Sequence, residues 1–173
     1  MTTIATAPDR TEAAEYYFTY IDQVGAGDIR EILEAQAGET TALLRSISEQ
    51  RSLHRYAPDK WTIRQAVGHM NDAERVFVFR AFWFARAFDA HLPSFDQNVA
   101  VFTAGSDERT WASHIEEFQS IRAATVTFFK NLPEDAWMRR GMASGNPFTV
   151  RALAYLVAGH VAHHSAIIRD RYL

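Results

Sequence analysis

The stretch that most restricts what this chain can fold into is residues 149–173. Apolar residues recur there at Val150, Leu153, Leu156, Val157, Val161, Ile167 and Ile168, the spacing of a helix that buries one face. Within it stand His160, His163 and His164. At roughly 100° per residue, the mean direction of the apolar side chains falls about 40° from His160, close to His164 and about 100° from His163. His160 and His164 therefore point inward, and His163 sits at the margin. Imidazoles four residues apart on one helix face can close on a single metal ion. The plainer alternative is that each is a core histidine satisfied by one hydrogen bond. Burying two rings without partners costs on the order of a few kcal/mol, so something should meet them.

Upstream, residues 1–10 read as a disordered leader and residues 11–173 as a single domain, a length that can bury a full-sized core. An amphipathic piece from Glu12 to Val24 carries Tyr16, Tyr17, Phe18, Tyr20 and Ile21 and is broken by Gly25-Ala26-Gly27. Asp28 and Glu31 form a capping-box signature for a helix reaching about Gln50, with Ile29, Ile32, Leu33, Gln36, Thr40, Leu43, Leu44 and Ile47 on one face. Thr62 and Gln65 make a second capping box, with Trp61 placed to staple the first turn. The helix they begin can run to about Phe88, with Ala66, Met70, Ala73, Phe77 and Phe84 on one side and His69 at its edge. Residues 89–106 show neither helical nor strand period. A third long helix spans about Asp107 to Asn131, with Trp111, Ile115, Phe118, Ile121, Ala124 or Thr125, and Phe128 inward. Residues 141–147 are turn-rich, and Thr149 caps the last helix. Four long helices without strand alternation predict an all-α four-helix bundle, the first pair joined by a crossover.

Bundles place metal sites between facing helices, and His69 is the natural third ligand beside His160 and His164. Of the other histidines, His54 and His91 fall in connections, and His114 reads as part of a solvated face beside Ser113 and Glu116. A rival set combines His160 and His163 with Asp72 or Glu74. Asp72 could also orient an imidazole from outside the ligand shell, or simply pair with Arg75 or Arg80 in solvent. Asp96 and Gln97 are candidates to line a pocket, whereas Phe95 and the aromatic run Phe77, Phe79, Trp83, Phe84 and Phe88 read as packing. Three neutral imidazoles suit zinc, nickel or iron, and three protein ligands leave coordination positions open.

Several classes are excluded or disfavoured. The chain has no cysteine, which rules out disulfides, thiolate ligands and a cysteine nucleophile. A net charge of -3 with no basic patch gives no electrostatic basis for binding nucleic acid. No phosphate-cradling glycine loop is present. No apolar run is long enough for a bilayer, and the first ten residues lack the pattern of a secretory signal. The expectation is a cytoplasmic protein acting on a small molecule.

Four segments together resemble the DinB-like (YfiT-like) superfamily of metal-dependent four-helix proteins. They are Tyr56-Ala57-Pro58-Asp59-Lys60-Trp61-Thr62-Ile63, Val67-Gly68-His69-Met70-Asn71-Asp72-Ala73-Glu74-Arg75, Leu92-Pro93-Ser94-Phe95-Asp96-Gln97, and Val150-Arg151-Ala152-Leu153-Ala154-Tyr155 leading into His160-Val161-Ala162-His163-His164. The resemblance covers about residues 17–173. It implies a bundle of the family type and a divalent metal ion held by His69, His160 and His164. Relatives in that superfamily add low-molecular-weight thiols such as bacillithiol or mycothiol to electrophiles, or isomerise maleylpyruvate with a thiol. The implied function is therefore metal-dependent transfer of a thiol to a small electrophile, with a homodimer as the implied assembly. The alternatives are a metal-dependent hydrolase and a non-catalytic, stress-related metal-binding protein. Asn71 and Asn98 depart from the family pattern, where an apolar residue and an acid are common.

Overall fold

The computed structural model describes residues 6–173. Four long helices form the bundle: α2 (Ile29–Arg45), α3 (Ile63–Ala85), α5 (Trp111–Lys130) and α6 (Val150–Ile167). Two short helices, α1 (Phe18–Ile21) and α4 (Gln97–Thr103), one hairpin, β1 (Arg140–Ala143) with β2 (Asn146–Thr149), several 3-10 turns and a π-helical end at Ile168–Tyr172 make up the rest. Both α2 and α3 pack against α5 and α6. Helices α2 and α3 follow one another in sequence yet lie across the bundle's diagonal, so their connection is the expected crossover.

The helix starts follow their local chemistry. Thr62 accepts from the Gln65 backbone N–H while the Gln65 side chain accepts from the Thr62 N–H, a complete capping box. Thr149 caps α6 by accepting from Ala152 N–H. Asp28 caps α2 through the Arg30 N–H, and Glu31 makes no reciprocal bond.

Elsewhere the architecture departs from the periodicity. The amphipathic piece at 12–24 shortens to a 3-10 turn at Glu15–Tyr17 and the single turn of α1, because its role is to lay Phe18 and Ile21 on α6 rather than to span the bundle. The region 89–106 contains α4, whose start is fixed by Asp96 accepting from Asn98 and Val99 N–H. The turn-rich segment 141–147 is the hairpin. Its two-residue loop, Ser144-Gly145, has positive φ at both positions (52° and 72°), the backbone twist that tight hairpins favour. Strands of four residues are too short to show a period. Of the leader, residues 1–5 lie outside the described residues, whereas 6–10 are held: Asp9 N–H donates to Glu12 (2.8 Å) and Arg10 pairs with Asp22 (2.9 Å).

The inward stripe of α5 also differs from the expected one. The buried residues are Trp111, His114, Phe118, Arg122, Thr125 and Phe129. Two polar residues hold positions that an apolar reading assigned to Ile115 and Ile121. His114 is not solvated: its Nε2 lies 2.8 Å from the Ser106 carbonyl. Arg122 pairs with Glu74 on α3 at 2.8 Å, both side chains being essentially inaccessible. Arg122 also donates to Gln36 Oε1 (2.8 Å), and Gln36 donates to the Ala158 carbonyl (2.9 Å). This chain of bonds touches all four bundle helices. Along each of them it falls between residues of two apolar clusters, one around Trp137, Phe148 and Tyr155, the other around Ile63, Met70 and Phe118.

Helix α6 is buried continuously from Val150 to Val161 because α1, α2 and α3 all pack on it. Gly159 allows α1 to approach: a Cβ there would meet the Tyr20 carbonyl oxygen at 2.1 Å. Gly159→Ala is expected to cost about 1–3 kcal/mol through overpacking. Gly38→Ala on α2, where a Cβ meets nothing within 4 Å, should stabilise by about 0.5–1 kcal/mol. Urea midpoints of the two variants should move in opposite directions; a shift of the same sign and size would show that the approach of α1 is not tight.

Candidate metal centre

Helix α3 brings in His69, two turns past its capping box, and α6 brings in His160 and His164, one turn apart. The Nε2 atoms of His69 and His160 are 3.1 Å apart, and those of His164 and His160 are 3.2 Å apart. One ligand nitrogen from each of the three lies within 4.8 Å of the other two. Nitrogens bound tetrahedrally at about 2.0–2.1 Å from one ion stand about 3.3–3.4 Å apart, so the spacing fits a shared cation. A nitrogen has one proton or one lone pair to offer, so His160 Nε2 cannot make separate good hydrogen bonds to both neighbours. Convergence on a cation meets all three at once.

The electrostatics favour the same state. Burial pushes His69 down to about 4. Burial, with the neighbouring His69 and His163 rings adding to it, pushes His164 down to about 3. Burial also holds His160 well below its usual range, and the other three histidines reinforce this. At neutral pH the rings are unprotonated, which metal ligation requires. Aromatic rings fix their orientation. Trp61 lies over His69 (5.0 Å between centroids), while Tyr20 and Phe77 lie against His160 (5.4 and 5.6 Å). Trp61 thus packs on the site. The buried Nδ1 of His69 has no protein partner among the described residues, so packing rather than a hydrogen bond sets this ring.

The other candidates are not brought to the triad. His163 Nδ1 lies 3.3 Å from Gln23 Nε2. Asp72 pairs with Arg75 (3.2 Å), and Glu74 is committed to Arg122. His69, His160 and His164 form the one such group among the described residues. Asp96 caps α4, and Gln97 lines the space beside the site.

Two cavities flank the triad. One, of about 230 Å³, is reached by His69 and His160 and walled by Tyr17, Tyr20, Phe77, Phe95, Arg80 and Gln97 among others. The second, of about 300 Å³, is reached by His164 and walled by Tyr56, Lys60, Trp61, Asn98 and Tyr172 among others. Sequence reasoning missed the tyrosines, Arg80 and Ser144, which also borders the first cavity. A signal for Arg80 existed: it is the cation on the face that carries His69, Ala73, Phe77 and Phe84. No signal pointed to Ser144, which arrives on the hairpin. Of the two departures from the family pattern, Asn98 lines the second cavity, whereas Asn71 is buried with neither amide atom partnered among the described residues.

A family model described as the DinB superfamily matches residues 32–168. The solved structure of YfiT from Bacillus subtilis, described as a probable metal-dependent hydrolase with an unusual four-helix bundle topology, aligns with a TM-score of 0.70. That alignment covers 95% of this chain and 90% of the other at 15% sequence identity, a likeness of fold. No curated protein matches. Among the described residues, no helix is long and apolar enough to cross a membrane.

Proposed function

The chain belongs to the DinB superfamily, and from that premise we propose that His69, His160 and His164 hold one divalent metal ion, zinc, nickel or iron, in an enzyme that acts on a small molecule. The observation that carries this reading is the convergence of three Nε2 atoms from two helices, at 3.1 and 3.2 Å along two sides. When bound, such an ion supplies Lewis-acid chemistry, lowering the pKa of a thiol or water so that a nucleophile is available near neutral pH. The chain's own residues do the rest. Burial keeps the imidazoles neutral, and Trp61, Tyr20 and Phe77 pack against the rings of His69 and His160.

The preferred nucleophile is a low-molecular-weight thiol delivered to a small electrophile. Two separate cavities meeting at one triad support a reaction with two organic partners. A second reading, hydrolysis with water as nucleophile, is favoured by the description of YfiT. The proposal includes a cytoplasmic setting. It also includes a homodimer, for which exposed Phe79, Phe82, Phe88 and Phe102 supply an apolar outer face.

Metal analysis of purified protein tests the core of the proposal. Wild-type protein should carry about one divalent ion per chain, and the His69→Ala/His160→Ala variant should carry close to none, as expected when two of three ligands are lost. Equal metal content in both proteins would remove the assignment. Incubating the metal-loaded protein with an epoxide or a chlorinated electrophile, with and without a thiol, then separates the readings. Thiol-dependent conjugate supports transfer, and product formed without thiol supports hydrolysis.

A further inference from the structure

We propose that Arg80 binds the carboxylate of a small, planar organic acid in the cavity beside His69 and His160, so that the substrate of this site is an anion. The inference rests on the reading of the triad as a reaction centre and adds the substrate class to it.

Arg80 is 4% exposed, yet among the described residues it faces no carboxylate at ion-pair distance. Every other deeply buried arginine has an acid: Arg64 has Glu49, Arg122 has Glu74, and Arg151 has Glu12. A buried charge without a counter-charge is costly, and such a residue is retained where a ligand supplies the missing charge. The two bonds Arg80 does make use only Nη2, which donates to the Pro93 carbonyl (3.0 Å) and to Ser144 Oγ (2.8 Å). Both acceptors are neutral. They hold the guanidinium in place, and among the described residues no acceptor takes Nε–H or Nη1–H. Nε–H and Nη1–H point to different sides of the guanidinium, so each is left to give a single charge-assisted bond to a ligand oxygen.

The cavity agrees with that chemistry. No carboxylate lines it, the polar groups besides Arg80 and the imidazoles are the Tyr16, Tyr17, Tyr20 and Ser144 hydroxyls and the Gln97 amide, and Tyr17, Phe77 and Phe95 offer ring surfaces to a flat body. Its volume of about 230 Å³ suits a molecule of the size of benzoate. Arg75, in the adjoining cavity, makes the contrast. It is paired with both Asp72 (3.2 Å) and Glu117 (2.6 Å), so its charge is already met.

The probes are benzoate and its uncharged counterpart benzamide, titrated calorimetrically into chelator-treated and metal-loaded protein. Metal-free wild type should bind benzoate at least tenfold tighter than benzamide. Arg80→Gln should abolish that preference, and Arg80→Lys, which keeps the charge, should retain part of it. No preference in wild type, or an undiminished preference in Arg80→Gln, overturns the proposal. Should Arg80→Gln fail to fold, the Nε–H resonance of Arg80 in wild type serves instead: it must shift with benzoate and not with benzamide. Tighter binding of phenyl phosphate than of benzoate would overturn the carboxylate assignment. The two readings fail separately. Metal content independent of the histidines with benzoate preference intact removes the reaction centre alone, and normal metal content without benzoate preference removes the Arg80 subsite alone.

Discussion

Arg122→Ala is expected to lower the unfolding free energy by about 3–5 kcal/mol, the usual consequence of removing one partner of a buried ion pair. Glu74 is 2% exposed, and in the variant its carboxylate would be left in the interior without a counter-charge. Gln36 would lose its bond from Arg122 as well, loosening the link that runs from α3 through α5 and α2 to the Ala158 carbonyl on α6. The pair is incompletely satisfied even in the native protein: Glu74 Oε1 and Arg122 Nε have no hydrogen-bond partner among the described residues. A pair of this kind contributes little net stability as a pair, while breaking it is expensive. The combined variant Glu74→Leu/Arg122→Met should therefore be far less destabilised than Arg122→Ala alone. Urea denaturation of both variants checks this. A loss under about 1 kcal/mol for Arg122→Ala would mean that the pair is not sealed from water.

Acidification should destabilise the metal-free protein through the same three rings that converge at the triad. The histidines are depressed when folded, His69 to about 4 and His164 to about 3, against about 6.5 when unfolded. Between those values the unfolded chain binds protons that the folded chain refuses. The contribution is therefore fully present above pH 6.5 and declines as the pH falls toward the folded values. From pH 7 to pH 4.5 the loss is on the order of 2 kcal/mol for each such imidazole. Glu12 adds to the loss only at lower pH. Its burial would raise it, but the Arg151 side chain, the Asp9 backbone N–H and the Thr149 hydroxyl outweigh that and hold it below the usual carboxylate range. Denaturation in chelator at pH 7, 5.5 and 4.5 measures the slope, and His69→Phe should flatten it. A pH-independent midpoint over this range would show that the folded protein accommodates imidazolium ions at the triad.

Much of the bundle was legible because its signals are local. Capping at Thr62, Thr149 and Asp28 depends on residues within a few positions, and the apolar period of α6 locates its inward face without knowledge of any neighbour. The triad was legible for a related reason: His160 and His164 share a face by helical geometry, and His69 sits at the edge of the apolar face of another helix. The misplaced stripe of α5 has the opposite cause. Arg122 and His114 read as outward because charge and polarity are costly inside, and only the partners Glu74 and the Ser106 carbonyl, distant in sequence, remove that cost. The hairpin and α4 were missed because elements of four and seven residues are too short for a period to emerge.

From the amino-acid order alone came the helices, their caps, the all-α class and the two faces that carry the histidines, since each depends on interactions between residues a few positions apart. Tertiary structure decided what meets what. It set α2 and α3 across the diagonal, linked Glu74, Arg122 and Gln36 into one buried chain, seated α1 on Gly159, and brought Arg80, Ser144 and three tyrosines around one cavity. These are encounters between segments far apart along the chain, where the sign of a buried polar group's contribution depends on the partner it finds.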